Sequence, residues 1–223
     1  MGILTPKQNK KDEKAVQFEF LNSKNLLLIF TRNPELGKCK TRLAATVGDH
    51  SALEIYKFLL EHTAGITKNT PTTKQVFYSE EIWEKDTWDT TIYDKKLQKG
   101  SDLGERMYHA FLEGFNSGFE RIIVIGSDMY DLSQDDIENA FTHLNTNDYV
   151  IGPATDGGYY LLGMKTLDKD IFKNKEWGTS TVLKDTLNHL KETKLHLLEA
   201  KNDVDIYDDI KDIDALKPFI KNI

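Results

Sequence analysis

The chain has 223 residues, of which 39% are hydrophobic, enough for one α/β domain with a full core and short for two. Its net charge of -7 argues against broad nucleic-acid binding, and no apolar run approaches the roughly 20 residues that a membrane span requires. One cysteine, Cys39, excludes a disulfide framework and an all-cysteine zinc site within one chain, so we expect a cytoplasmic protein with no nucleic-acid or membrane partner.

Residues 1–24 lack the apolar stretch of a secretory signal, and we expect a flexible N-terminal extension followed by one domain over residues 25–223. Apolar runs predict buried strands at Asn25–Thr31 and 121–125, with shorter strands at 75–78, 91–98, 149–152, Tyr159–Met164 and 194–198. Helical spacing and capping residues predict helices at 51–63, 102–117, 133–144, 180–192 and 208–221. This alternation predicts an α/β fold with a mostly parallel central sheet, helices on both faces and ligands outside the carboxyl ends of the strands.

The segment after the first strand is rich in cations. Pro34 and Gly37 break the chain into a loop, and Lys38, Lys40 and Arg42 follow within five residues. Such a cluster can neutralise phosphate charges, although a solvated basic turn has the same composition. The loop is not a Walker A motif, because position 32 is arginine and position 39 is cysteine, and the chain has no G-x-G-x-x-G segment.

Carboxylates follow two further strands. Asp128 comes directly after the strand at 121–125, where it can bind Mg²⁺ (or Mn²⁺) together with substrate phosphates, or simply cap a turn. Asp203 and Asp205 would point the same way in an extended segment, so either could supply a second metal carboxylate. The alternative for Asp205 is a helix N-cap, with Asp208 three residues on.

Small and aromatic residues mark two more loops. Asp156, Gly157 and Gly158 lie between two predicted strands, which indicates a hairpin turn whose glycines also let a substrate approach the backbone. Trp177 and Thr179 precede the helix at 180–192, where the indole either lines a pocket or packs against the core. The six histidines have no metal-ligand spacing, and no Ser-His-Asp arrangement can be argued.

Six blocks in order resemble a known family: FTRNPELGKCKTRLA, SDLGERM, IGSDMYDL, IGPATDGGYYLLGM, WGTSTVL and NDVDIYDDI. They resemble the rSAM/selenodomain-associated transferases of the nucleotide-diphospho-sugar transferase (GT-A) superfamily, over about residues 25–215. The family is similar to phospholactate guanylyltransferases and more distantly to molybdenum-cofactor guanylyltransferases. The resemblance implies a single GT-A fold domain.

The resemblance also implies roles for individual residues. The segment Lys40-Thr41-Arg42-Leu43 matches the Lys-Ser/Thr-Arg-Leu of the guanylyltransferases, and Asp128 and Asp205 match metal-binding aspartates. The second aspartate of the superfamily's Asp-x-Asp falls at Tyr130, with Asp131 one step further, which puts more weight on Asp205. The expected nucleotide-binding residues are Arg32, Gly37, Lys38, Lys40, Thr41, Arg42, Asp102 and Gly104. The expected catalytic residues are Lys40, Arg42, Asp128 and Asp156, the substrate-binding residues Asp156, Gly157, Gly158, Trp177 and Thr179, and the metal ligands Asp128 and Asp205.

Three functions fit these features. The first is transfer of a nucleoside monophosphate from a nucleoside triphosphate to a small phosphorylated acceptor, which the cation density favours. The second is glycosyl transfer from a nucleotide-sugar to a small-molecule acceptor, with Asp156 as the available base. The third is nucleotide binding without catalysis.

Overall fold

The structure, a computed structural model that describes residues 24–220, is built on a seven-stranded sheet in the order β3-β2-β1-β4-β6-β5-β7. The expected flexible extension over residues 1–24 lies outside the described residues except for Lys24. The strands are β1 Asn25–Thr31, β2 Thr73–Tyr78, β3 Asp94–Leu97, β4 Arg121–Gly126, β5 Tyr149–Pro153, β6 Tyr159–Met164 and β7 Leu195–Leu197.

Strand β1 shows why its apolar run is continuous. Successive side chains of a strand point to opposite faces, so Leu26 and Leu28 join one hydrophobic cluster while Leu27 and Ile29 join another. All four are fully buried, because helices cover both faces of the sheet. β1 pairs in parallel with β2 and β4, and only β6, which pairs with β4 and β5, runs antiparallel within the described sheet. The predicted mostly parallel α/β sheet is confirmed.

Four of the six described α-helices cover the two faces of the sheet. The six are α1 Thr41–Val47, α2 Asp49–Thr67, α3 Leu103–Asn116, α4 Gln134–His143, α5 Val182–Leu190 and α6 Tyr207–Ile210, with 3₁₀ turns at Asp170–Phe172 and Asp214–Ile220. Helices α2 and α4 bury residues against the face of Leu27, whereas α3 and α5 cover the face of Leu28. No helix within residues 24–220 has the length and apolar character to cross a bilayer.

A third hydrophobic cluster positions the end of the chain. Leu43 of α1 and Leu59 of α2 pack with Val204, Ile210 and Leu216, all of them buried. This packing holds residues 203–206 beside the start of α1. The fold therefore brings the C-terminal aspartates next to the basic loop, although more than 160 residues separate Lys40 from Asp205 in sequence.

Helix starts agree with the sequence at two places. Ser133 and Asp136 form the capping box of α4, and the Asp102 carboxylate accepts a hydrogen bond from the Glu105 amide at the start of α3. A full capping box does not form there, because the Glu105 carboxylate accepts from the amide of Ser101 and not from that of the cap residue Asp102.

The C-terminal segment differs from the helix that was expected there and from the alternative role of Asp205 as a helix N-cap. The helix predicted at 208–221 is instead α6 followed by a 3₁₀ turn, whose Pro218 lacks an amide donor and disfavours a helical residue before it. Asp205 is not the N-cap of α6. The cap residue is Ile206, and the carboxylate of Asp209 accepts from the amides of both Asp205 and Ile206.

Candidate functional site

The carboxyl ends of β1, β4 and β5 lie at the same edge of the sheet. β1 and β4 are parallel, and β5 runs antiparallel to β6, which is itself antiparallel to β4. The loops that follow these strands carry the basic segment, Asp128 and Asp156. This edge is where α/β sheets bind ligands.

The basic loop is held in place by its own backbone and by a neighbouring loop. Gly37 and Lys40 both have positive φ, and Lys40, at φ 50° and ψ 45°, is in the left-handed region that non-glycine residues rarely occupy. The buried Asn33 side chain bonds to the amide and carbonyl of Glu81 in the loop after β2. Cys39 is buried, and burial raises the pKa of its thiol, which is the behaviour of a structural residue.

Four charged residues converge at the centre of the site. The Lys40 ammonium lies 2.7 Å from Oδ2 of Asp128 and 3.3 Å from Oδ1 of Asp205, and Arg42 pairs with the other oxygen of Asp205. The two carboxylate oxygens that contact Lys40 are therefore no more than about 6 Å apart, and both carboxylates face the same ammonium group. The Lys40 side chain is only 4% exposed.

The pKa values of Lys40 and Asp128 are set by the contacts between these charged groups. Burial alone would lower the pKa of Lys40, but the charges of Asp128 and Asp205 outweigh it and raise that pKa above its usual value. Burial would likewise raise the pKa of Asp128, and the Lys40 ammonium instead holds it below its usual range. Both groups are thus charged at neutral pH.

Asp203 has a different environment. Burial, followed by the negative charges of Asp156 and Asp205, raises the pKa of Asp203 to about 6. Asp209 fixes the backbone of this segment through the amides of Asp205 and Ile206. Three carboxylates, those of Asp156, Asp203 and Asp205, therefore lie close enough to one another for their charges to interact.

The donor set fits a hard divalent cation. Mg²⁺ prefers oxygen ligands and takes one or two carboxylates plus substrate phosphates, which Asp128 and Asp205 can provide. Within residues 24–220, no three His, Cys, Asp or Glu side chains form a complete metal cluster, so further ligands would have to come from substrate or water. Tyr130 does not contribute, because its ring packs against Phe58 and His62.

Two adjoining clefts flank the charged centre. The larger has a volume of 410 Å³, the smaller a volume of 280 Å³, and both are lined by Arg32, Tyr56 and Asp128. The larger is also lined by Phe30, Thr31, Ser79, Gln98, Ser101, Asp102, Leu103, Arg106 and Ser127. The smaller is also lined by Lys38, Cys39, Lys40, Thr41, Arg42 and Asp205.

Several lining residues were not predicted. The Tyr56 hydroxyl accepts from the amide of Arg32 and lies 3.4 Å from the Ser127 hydroxyl, so it ties the end of β1 to the end of β4. The Gln98 amide donates to the carbonyl of Phe77, and its oxygen accepts from Arg106 at 3.4 Å. Of these residues, only Arg106 could have been found from the sequence. It stands one helical turn after Asp102 and therefore lies on the same face of the helix as that predicted site residue.

The predicted substrate-binding residues are not part of the lining of either cleft. Among the described residues, none of Asp156, Gly157, Gly158, Trp177 and Thr179 lines either cleft. Gly157 has φ +93° and its backbone lies against Ser180, while the Asp156 carboxylate accepts from the Gly158 amide as in a hairpin turn.

The first turn of α3 packs against Trp177. A Cβ at Gly104 would lie 2.6 Å from the indole nitrogen of Trp177, so Gly104 makes room for that ring. The ring is half-buried, edge-on to Tyr159 at 6.5 Å. Packing therefore accounts for the presence of Gly104 and Trp177 at these positions. Thr179 is exposed, and its hydroxyl donates to the carbonyl of Glu176.

Solved structures of other proteins resemble this one in fold. The chain is 27% identical, with a TM-score of 0.80, to a protein of Desulfovibrio desulfuricans provisionally named a nucleotide-diphospho-sugar transferase, over 89% of this chain and 94% of that one. More distant structures share the fold alone. A 4-diphosphocytidyl-2C-methyl-D-erythritol synthase of Anaerococcus prevotii is 10% identical with a TM-score of 0.54, over 92% of this chain and 99% of that one.

A CMP:2-keto-3-deoxy-manno-octonic acid synthetase complexed with CTP is 9% identical with a TM-score of 0.50, over 88% of this chain and 99% of that one. By name, these structural neighbours are a nucleotide-diphospho-sugar transferase, a synthase and a synthetase that binds CTP. No curated protein sequence matches the chain. Residues 63–179, more than half of the chain, match the family described as "Uncharacterized protein conserved in bacteria (DUF2064)". The chain has the nucleotide-diphospho-sugar transferase fold and belongs to the DUF2064 family.

Proposed function

We propose that this protein is a metal-dependent nucleotidyltransferase that joins a nucleoside monophosphate from a nucleoside triphosphate to a small phosphorylated acceptor. The observation that carries the proposal is the meeting of Lys40 and Arg42 with Asp128 and Asp205 where the two clefts adjoin. Such a centre combines phosphate-binding cations with metal-binding carboxylates. The solved structures with this fold include a protein named a cytidylyltransferase and a synthetase complexed with CTP, which supports the same class of reaction.

The lining residues of the two clefts, and the volume of the larger one, suit the nucleoside and phosphate parts of a nucleotide. A volume of 410 Å³ lies within the usual range of small-molecule sites, and polar groups of Gln98, Asp102 and Arg106 line the larger cleft for a nucleoside. The cations line the smaller cleft, where the phosphates would lie. Arg32 lines both clefts, is exposed and forms no salt bridge with any residue in 24–220, so its guanidinium can bind a phosphate without breaking an ion pair.

In the proposed reaction an acceptor phosphate oxygen attacks the α-phosphorus, the bond from that phosphorus to the β-bridging oxygen breaks, and pyrophosphate leaves with both electrons. Arg42 and Lys40 would neutralise the charge that develops on the departing phosphates. Asp128 and Asp205 would hold Mg²⁺ (or Mn²⁺), which supplies further charge neutralisation when bound. A phosphate nucleophile is ionised at neutral pH and needs no general base, so Asp156 would position the acceptor.

The resemblance of Lys40-Thr41-Arg42-Leu43 to guanylyltransferases supports nucleotidyl transfer. The finer relationship to the rSAM/selenodomain-associated transferases stays a prediction, as does a cytoplasmic location.

Glycosyl transfer is the second candidate. The 27% identity to the Desulfovibrio desulfuricans protein favours it, because that protein is named for a nucleotide-diphospho-sugar. In this reaction the metal and cations would act on a diphosphate leaving group, and Asp156 would accept a proton from the acceptor hydroxyl. The γ-phosphate would then have no partner in the smaller cleft.

A ligand panel tests the proposal. Nucleoside triphosphates, diphosphates and nucleotide-sugars are compared by thermal unfolding with and without Mg²⁺, and each stabilising ligand is then assayed for pyrophosphate release with phosphorylated acceptors. We expect a triphosphate to stabilise most, and only with Mg²⁺. Stabilisation by a nucleotide-sugar alone would favour the second candidate, and binding with no turnover of any ligand would indicate a non-catalytic nucleotide-binding protein.

A further inference from the structure

Lys40 stands where the proposed metal would bind. Its ammonium contacts oxygens of Asp128 and Asp205 at 2.7 and 3.3 Å, the two carboxylates proposed to share the ion. No other described cation touches both, since Arg42 pairs with Asp205 alone and Lys38 pairs with Glu35. One cation thus bridges the two carboxylates that are proposed to bind the metal.

Burial, backbone conformation and packing fix the position of Lys40. Its side chain is 4% exposed, against 67% for Lys38 and 69% for Arg42. Its backbone has the left-handed conformation that costs a non-glycine residue energy, and such strain persists only where the surroundings hold it. Packing of Val204 and Leu43 in the third hydrophobic cluster brings Asp205 to it.

We propose that Lys40 is a resident cation that occupies the metal position in the nucleotide-free protein and is displaced toward the phosphates when the divalent ion binds. The inference rests on the proposed function, because the ion and the phosphates are those of that reaction. An ammonium and a divalent ion cannot both occupy the space between the same two oxygens, since they repel and use the same lone pairs. The protein therefore binds metal weakly by itself, and metal and nucleotide bind cooperatively because phosphate gives Lys40 a new partner.

Metal binding without nucleotide tests this directly. Mn²⁺ is titrated into nucleotide-free wild-type protein, Lys40→Gln, Lys40→Arg and Lys38→Gln, and free Mn²⁺ is measured by electron paramagnetic resonance. Removing the bridging charge should tighten Mn²⁺ binding by about tenfold or more in Lys40→Gln. Lys40→Arg keeps a cation and Lys38→Gln leaves the pair untouched, so both should bind as the wild type does. Adding Asp128→Asn to Lys40→Gln should remove the gain.

Lys40→Gln that binds Mn²⁺ no more tightly than the wild type would overturn the proposal. A second measurement needs no variant. Lysine acetylation is followed by mass spectrometry on the nucleotide-free wild type, with and without a high concentration of Mg²⁺. We expect a high concentration of Mg²⁺ to displace the Lys40 ammonium, so that Lys40 becomes reactive toward acetylation. Lys38 should be acetylated equally with and without Mg²⁺ and serves as the internal reference. Unchanged protection of Lys40 with Mg²⁺ demonstrably bound would also overturn it.

These outcomes are independent of turnover. If no nucleotide binds the wild type, the proposed function fails, yet the Mn²⁺ gain of Lys40→Gln still reports on the resident cation. If nucleotide binds with Mg²⁺ but Lys40→Gln shows no gain, the resident-cation proposal fails and the proposed function stands.

Discussion

Replacing Asp203 with asparagine should stabilise the protein at neutral pH. Burial and the charges of Asp156 and Asp205 raise the pKa of Asp203 to about 6, whereas an unfolded chain has an aspartate pKa of about 3.9. The folded state therefore binds a proton more tightly, and stability falls as pH rises from about 4 to about 6 and then levels off. A shift of about two pKa units, at about 1.36 kcal/mol each, sets an upper value of about 3 kcal/mol.

Asparagine removes the charge and keeps the shape, so Asp203→Asn should gain about 1–3 kcal/mol at pH 7.5 and little at pH 4. Urea unfolding between pH 4 and pH 8 measures the free energy of unfolding of variant and wild type. Asp131→Asn, which removes an exposed carboxylate after the same strand as Asp128, is the matched control and should leave the profile unchanged. A pH profile of Asp203→Asn that parallels the wild type would refute the reasoning.

Three further variants test other parts of the site. Arg42→Ala should weaken binding of a triphosphate by about 1.5–3 kcal/mol and binding of the nucleoside far less, because one charge-assisted phosphate contact is lost. Equal losses in calorimetry would show that the contact is not to phosphate. Asp128→Asn should abolish Mg²⁺-dependent thermal stabilisation by nucleotide and leave the circular dichroism spectrum unchanged, and a retained Mg²⁺ effect would place the metal elsewhere. Gly104→Ala should lower the free energy of unfolding in urea by about 1–3 kcal/mol, because its Cβ meets the carbonyl oxygen of Phe172 and the ring of Trp177. In the same assay Gly65→Ala, in open space on α2, should raise it by about 0.5–1 kcal/mol. An unchanged free energy of unfolding in Gly104→Ala would show that both the Phe172 carbonyl and the Trp177 ring move aside.

The central strands were predictable from the sequence because both faces of the sheet are buried. Burial on two sides leaves a continuous apolar run, and β1 has the bounds that the run Asn25–Thr31 indicates. Edge strands carry less signal, as in β3 and β7, whose residues are half-buried or exposed. The C-terminal helix was overpredicted, because its apolar spacing is helical while Pro218 disrupts it.

The candidate site was predictable as a set of residue types at the ends of strands. The rule that ligands bind there identified the basic loop and Asp128 before their contacts were known. The contacts themselves were not predictable, since Lys40 reaches Asp128 and Asp205 across 88 and 165 residues. Tyr56 and Gln98 carried no motif, and the roles of Gly104 and Trp177 in packing depend on how α3 meets the loop before α5.

The central claim is that the smaller cleft holds the β- and γ-phosphates of a triphosphate. Calorimetry with the triphosphate and the diphosphate of one nucleoside, both with Mg²⁺, tests it most directly. Each added charge-assisted contact from Lys38, Lys40 or Arg42 is worth about 1.5–3 kcal/mol, so the triphosphate should bind roughly tenfold or more tightly, and turnover should release pyrophosphate. Equal affinities, together with slow hydrolysis of a nucleotide-sugar that Asp156→Asn removes, would contradict nucleotidyl transfer and establish the glycosyl alternative.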